Sequence, residues 1–334
     1  MAYTTIDDPE AYFQVEIYEG TGSSHARTLD GDTDLSPNLV ICKGRASTSS
    51  TSFFDTVRGV TKQLRASRSS NEAEATTAET LKSFDSDGFT MGTDGDVNYD
   101  GDTYVAYCWK ETADAGFDIV AYTGTGSATA QNVSHSLSAT PEFYTVKSRE
   151  SVGNWQTYHH KMSSAPETDY VQIDSTEAVA DYTFWGDTAP TSSVFTVDDG
   201  NDVNESGESF LCYLWRSVQG FSKFGVYASN SNANGPFVYL GFRPALLWIK
   251  NVADGGAAWF AFDNKRSPTN IMNEQLLINS TATETTGSTN NIDFLSNGFK
   301  CKTSNGDTNG GTHIYMAWAE SPFVNSNGVP NNAR

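Results

Sequence analysis

The densest set of ligand-type atoms in the chain is Asp94-Gly95-Asp96-Val97-Asn98-Tyr99-Asp100-Gly101-Asp102. Read from Asp96, the spacing Asp-x-Asn-x-Asp-Gly opens an oxygen-donor calcium loop, with Asp96, Asn98, Asp100 and Asp102 as weak candidate ligands. The position that should close the cage with a bidentate carboxylate is Tyr107, which has none. Two later segments resemble this one, Asp202-Val203-Asn204-Glu205-Ser206-Gly207 and Asp307-Thr308-Asn309-Gly310-Gly311. They share Asn and Gly with it, not a set of carboxylates. A hairpin turn over Asp96, Asn98 and Asp100, without structural metal, is expected.

Other chemistry is weaker still. His159-His160 could hold a metal, but no third ligand stands at a suitable spacing, so a solvated pair on an edge strand is expected. The remaining histidines, His25, His135 and His313, show no common register. No G-x-S-x-G is present, which leaves a nucleophile elbow unsupported. Gly20-Thr21-Gly22 and Gly124-Thr125-Gly126 do not complete a phosphate-binding G-x-G-x-x-G. Acidic pairs for glycoside cleavage can be drawn from 41 Asp and Glu in too many ways to mean anything. Asp55 with Arg58, and Asp263 with Arg266, recur at the same spacing; a salt bridge pinning a strand end is the plain reading and a ligand contact the sharper one. No catalytic residue and no cofactor are expected, and the chain is not read as an enzyme.

These residues sit in a threefold repeat. Tyr18-Glu19-Gly20-Thr21-Gly22-Ser23 returns as Tyr122-Thr123-Gly124-Thr125-Gly126-Ser127, and a weaker copy starts at Tyr227. Pro37, Pro141 and Pro244 keep the same step, each followed six residues on by Lys43, Lys147 or Lys250. Tyr107, Tyr213 and Trp318 close each copy. A constant period over several anchors marks duplicated structural units.

Within a copy the pattern is that of strands. Phe13, Val15 and Ile17 alternate with polar residues, the period of a half-buried strand. The apolar runs Leu39–Lys43, Phe143–Lys147 and Leu246–Lys250 read as central strands, with the proline placed before each, where no ladder donor is lost. Third strands follow at Phe53–Asp55, Trp155–His159 and Trp259–Asp263, and Phe84-x-x-x-Gly88-Phe89 matches Phe294-x-x-x-Gly298-Phe299. The second copy has only Phe195 at that place. Residues 71–81 are read as a loop. Short strands with frequent turns predict an all-β chain of three tandem β-sandwich units of jelly-roll or lectin-like type. The expected boundaries are an arm at 1–12, units at 13–110, 117–216 and 220–323, and a tail at 324–334.

The 334 residues carry a formal net charge of −20, which repels nucleic acid and anionic membranes. No apolar stretch approaches a membrane span, so no membrane insertion is expected. Cys42, Cys108, Cys212 and Cys301 stand singly, which favours free thiols in a reducing cytoplasm.

The anchors together resemble a family of proteins from tailed phages, many of them marine. Tyr122–Ser127, Pro244–Lys250, Trp259–Arg266, Phe294–Phe299 and Tyr315–Trp318 carry the resemblance, as does Gly235–Pro244. It implies a virion structural protein, made in the host cytoplasm and found in the particle, with no catalytic residues to carry over. A surface component associated with the tail or its fibres, engaged in host attachment, is the leading expectation. A capsid decoration or cement protein is the alternative, and a glycan-degrading tail enzyme ranks last. The implied partners are other virion proteins, of tail or capsid, in an oligomeric particle, with a host surface glycan as a further contact.

Overall fold

The structure, a computed structural model, describes residues 3–66, 74–126, 130–198, 200–287 and 289–331. Ser127 of the second glycine-rich turn and residues 71–73 of the expected loop lie outside them. The chain is all-β, and the same sheet order is built at three places. The first main sheet runs Phe13–Glu19, Thr103–Trp109, Leu39–Gly44, Ser52–Asp55, Lys62–Arg65, Ala75–Thr76. The second runs Phe117–Thr123, Ser209–Trp215, Phe143–Ser148, Gln156–His159, Asp169–Gln172, Ala180–Asp181. The third runs Ser222–Ala228, Thr312–Pro322, Phe242–Asn251, Trp259–Asp263, Leu276–Leu277. All strand pairs are antiparallel, and the register is shared: Phe13, Phe117 and Ser222 oppose Trp109, Trp215 and Trp318.

Each main sheet is covered on its outer face by a smaller one. The first carries His25–Arg27, Gly88–Met91 and Leu81–Asp85; the second Gln131–Ser134 with Val194–Val197; the third Phe237–Tyr239, Gly298–Cys301 and Ile292–Leu295. In the first sandwich Val40, Cys42 and Phe54 join Leu81, Phe89 and Met91 in one apolar cluster. Their strand neighbours Leu39, Ile41 and Phe53 point the other way, into a core shared with the second and third sandwiches. Each central strand therefore has both faces buried. That explains why it reads as a continuous apolar run rather than an alternation.

The inner faces converge on three tryptophans. Trp109 lies with its ring centroid 5.2 Å from Trp318 and 6.1 Å from Trp215, and Trp215 lies 6.2 Å from Trp318. All three meet edge to face, the geometry that sets the positive rim of one ring against the negative face of the next. One tryptophan from each closing strand thus marks a common axis.

Three details of strand placement differ from the sequence reading. Trp318, set there in step with Tyr107 and Tyr213, is in register with Trp109 and Trp215, and Met316 takes the place of the two tyrosines. Pro244 lies inside Phe242–Asn251, and the register shifts on both sides of it. A bulge absorbs the residue that cannot donate to the ladder. Of the expected loop at 71–81, Ala75–Thr76 is a short strand on the edge of the first sheet, opposite Gln63 and Lys62. The arm is held down as well: Thr4 and Ile6 are buried, and the Thr4 hydroxyl donates to the Gln219 carbonyl at 2.9 Å. All four cysteines are free and buried. Burial pushes the Cys42 thiol up to about 12 and that of Cys301 to about 11, so both are thiols rather than thiolates at neutral pH. No helix among the described residues is long and apolar enough to cross a membrane.

Candidate functional site

The segment with calcium-loop spacing is not a hairpin turn. Gly95–Asn98 forms a single helical turn capped by the Asp94 side chain; Gly306–Asn309, capped by Asn305, and Asn201–Asn204, which follows Gly200 without a side-chain cap, form the same turn before the other two closing strands. The asparagine ending each turn is buried and clamps the glycine-rich loop. Asn98 Oδ1 accepts from the Thr21 N–H at 2.8 Å, Asn204 Oδ1 from Thr125 at 2.8 Å, and Asn309 Oδ1 from Asn230 at 3.0 Å. Their backbone carbonyls accept from Gly22, Gly126 and Ser231. The anchor tyrosines complete the clamp, with Tyr18, Tyr122 and Tyr227 donating to the carbonyls of Val97, Val203 and Thr308.

The glycines follow from this contact. A Cβ on Gly20 would stand 2.1 Å from the Tyr99 carbonyl oxygen, and one on Gly124 2.2 Å from that of Glu205. Gly22 and Gly126 have φ of 61° and 58°, the left-handed region that glycine enters without steric cost. Ser231 occupies the corresponding place with φ 51°. The third copy looks weak in sequence because its turn uses serine and asparagine for the same backbone.

Two of the three candidate carboxylates are engaged with protein groups. Asp96 Oδ2 pairs with Arg65 Nε at 3.1 Å, and Asp102 accepts from the Ser47 hydroxyl and from the Thr103 N–H. Asp100 is exposed. Among the described residues no group of three or more His, Cys, Asp or Glu is placed to hold a metal ion.

The recurring Asp-x-x-Arg pair works between sandwiches. Asp55 and Arg58 are wholly buried, with Arg58 Nε donating to Asp55 Oδ2 at 2.5 Å. Tyr213 of the second sandwich donates to the same oxygen at 2.8 Å. Asp263 and Arg266 repeat this at the boundary of the third and first sandwiches, where Tyr107 donates at 3.0 Å. A further carboxylate ties each junction. Glu74 pairs with Arg58 and with Arg149 of the second sandwich, and Glu284 pairs with Arg266 and with Arg45 of the first. Fully buried charges are sustained because every oxygen facing the interior meets a donor.

The junction of the second and third sandwiches uses different residues at the same positions. By strand register His159 replaces the aspartate, Met162 the arginine and Met316 the tyrosine. His159-His160 is therefore not a solvated edge pair. His159 is wholly buried on an interior strand, with Nε2 3.4 Å from the Tyr315 carbonyl oxygen of the third sandwich. Burial, then the neighbouring His160, holds its pKa well below the usual value. The sequence signal was present: Asp55, His159 and Asp263 each end their third strand.

His159→Asn keeps a donor for the Tyr315 carbonyl but cannot titrate. The unfolded chain takes up a proton at this histidine near pH 6.5, while the folded chain does so only at lower pH. The unfolded state then binds more protons, and stability falls as pH drops below 6.5. Relative to His159→Asn, the native chain should lose stability as pH falls from 6.5 to 5, by at most about 1.4 kcal/mol per pH unit. Thermal unfolding across that range checks this, and parallel curves would contradict it.

All three recurring lysines are buried, and two of them, Lys43 and Lys250, bond across a junction. Lys43 donates to Ser49 O in its own sandwich at 2.6 Å and to Ser280 O of the third at 2.9 Å. Lys250 donates to Ala257 O at 2.6 Å and to Thr176 O of the second at 3.0 Å, and Lys147 donates to Ser151 O at 3.2 Å. Burial depresses all three ammonium groups to about 8. Contacts of first to second, second to third and third to first close a ring.

The ring is not uniform at its surface. Between the second and third sandwiches lies a cleft of ≈ 530 Å³ that includes Glu142, Ser217, Gln219, Lys223, Tyr239 and Tyr3 in its lining. Lys223 Nζ donates to the Tyr239 carbonyl at 2.7 Å and stands 5.5 Å from that ring's centroid. The Glu142 carboxylate accepts from the Ser217 N–H at 3.2 Å. The equivalent place between the third and first sandwiches encloses only ≈ 20 Å³. There Gln14, in register with Lys223, bonds to Glu10 O, Thr33 O and Gly31 N, and Lys265 pairs with Asp30 across the mouth. Nothing in the sequence reading pointed to this cleft, because Tyr3, Glu142 and Tyr239 belong to three distant segments.

The chain belongs to a family described as a domain of unknown function (DUF7483), whose profile matches residues 8–322. The match extends over all three main sheets. No curated protein matches the chain.

Proposed function

We propose that the chain is a non-catalytic structural protein of a bacteriophage virion, built from three homologous units at 13–110, 117–216 and 220–323. In this reading it is a surface component associated with the tail or its fibres and takes part in contact with the host. The observation that carries it is the closed ring of three like sheets around Trp109, Trp215 and Trp318. Such a ring presents nearly the same surface three times about one axis, which suits a partner with matching three-fold symmetry. The residues that recur in all copies serve the framework: the asparagine clamps fix the glycine-rich loop inside each unit, and Lys43 and Lys250 bond across the junctions. That distribution favours building and docking over catalysis. The strong negative charge favours a basic neighbour in the particle.

The same pseudo-three-fold geometry favours a second reading, a decoration protein seated over a three-fold position of the capsid shell. Immunogold labelling of purified virions separates the two. Label on the tail or its fibres is expected, label over the shell would transfer the role to decoration, and bare particles would remove both.

A further inference from the structure

We propose that the cleft between the second and third sandwiches is a binding site for a neutral oligosaccharide; this inference rests on the surface-contact reading for its biological setting. Its volume of ≈ 530 Å³ falls in the range of small-molecule sites, about 300–1,000 Å³. The comparison within the ring is what marks it. Ser222, Lys223, Phe224 and Glu142 hold the positions that Phe13, Gln14, Val15 and Ala245 hold at the closed junction. Replacing Phe13 by the small Ser222 removes bulk, and replacing Ala245 by Glu142 adds a carboxylate.

The lining fits a saccharide. Tyr3 and Tyr239 are 59% and 53% exposed and line the same cleft, so two aromatic rings are accessible to one ligand. Aromatic faces bind the C–H faces of sugar rings, while their hydroxyls stay free to bond. The Gln219 amide and both phenolic hydroxyls make no hydrogen bond among the described residues, so donors and acceptors stand ready at the rim. Glu142, already fixed by the Ser217 N–H and hydroxyl, offers an acceptor of set direction. Glu142 and Lys223 balance within the lining, so the cleft has no excess charge to select an ionic ligand, the chain's net −20 works against an anion, and the mixed lining works against a purely apolar ligand. Glu142 is the only carboxylate among the residues that line the cleft, so the acid–base pair needed for glycoside hydrolysis is not assembled there. Binding without cleavage is the activity this geometry supports.

Saturation-transfer NMR and calorimetry on the full chain would test this with maltotriose, cellotriose, mannotriose and triacetylchitotriose. At least one should bind, with resonances of Tyr239 and Tyr3 perturbed. Tyr239→Ala and Gln219→Ala alter exposed side chains and should keep the native melting temperature while weakening that binding at least tenfold. If none of the four binds, or if binding ignores both substitutions, the inference is overturned. Virion labelling reads a different quantity: sugar binding with no label on particles would remove the virion reading and leave the cleft, and the reverse result would do the opposite.

Discussion

Arg58→Met alone should destabilise the chain by about 3–5 kcal/mol, because it strands a carboxylate whose side chain is wholly buried. Asp55 and Arg58 are both at 0% side-chain exposure, and Asp55 also accepts from Tyr213 in the neighbouring sandwich. The third junction of the ring indicates how the loss can be repaired. There the same three positions hold His159, Met162 and Met316, a set without a buried ion pair. Asp55→His, Arg58→Met and Tyr213→Met together should therefore recover to within about 1–2 kcal/mol of the native chain, since a buried pair replaced whole by groups of similar volume is often close to neutral. Urea unfolding of the single, double and triple variants gives the coupling directly. Additive losses, with the triple variant the least stable, would mean that the junctions are not interchangeable solutions to one packing problem.

Trp109→Ala should cost about 3–5 kcal/mol, the range for deleting a large buried aromatic side chain. Trp109 is 1% exposed and touches every sandwich: Phe13 at 4.9 Å, Trp215 at 6.1 Å, Trp248 at 6.3 Å and Trp318 at 5.2 Å between ring centroids. The cavity would open on the axis, where three sheets hold one another apart and none can close in without leaving its own outer sheet. Relaxation is thus restricted, which places the cost toward the upper end of that range. Near-ultraviolet circular dichroism should lose intensity along with the stability, as the coupled indoles separate. A loss below about 1.5 kcal/mol, the low end for burying a large apolar side chain, would show that the sandwiches stand independently of their axis.

Much of the fold was legible in the chain because the repeat supplied three readings of each element. Apolar runs such as Leu39–Lys43 and Leu246–Lys250 read as central strands, and the structure adds that both their faces are buried. The aromatic closing strands and the Tyr-x-Gly-Thr-Gly turns were equally plain. Less legible was the asparagine turn. Asn98, Asn204 and Asn309 were visible as a shared feature, but their four-residue helical turn is too short to leave a periodic signal, and a turn was the nearest reading. The exposure of His159-His160 was misjudged for a related reason. Polarity in a sequence predicts solvent on average, yet a strand position that faces a neighbouring sheet is buried whatever residue occupies it.

By itself the sequence determined the all-β character, the repeated strand order and the residues that recur, because local pattern and turn chemistry act over a few positions at a time. Which sandwich meets which, the partnership of Asp55 with Tyr213 and of Asp263 with Tyr107, the meeting of Trp109, Trp215 and Trp318, and the opening of one junction into a cleft were decided only by the tertiary structure. Those contacts join residues more than a hundred positions apart. They depend on three sheets burying their inner faces against one another, and no local pattern in the chain records which surfaces that burial brings together.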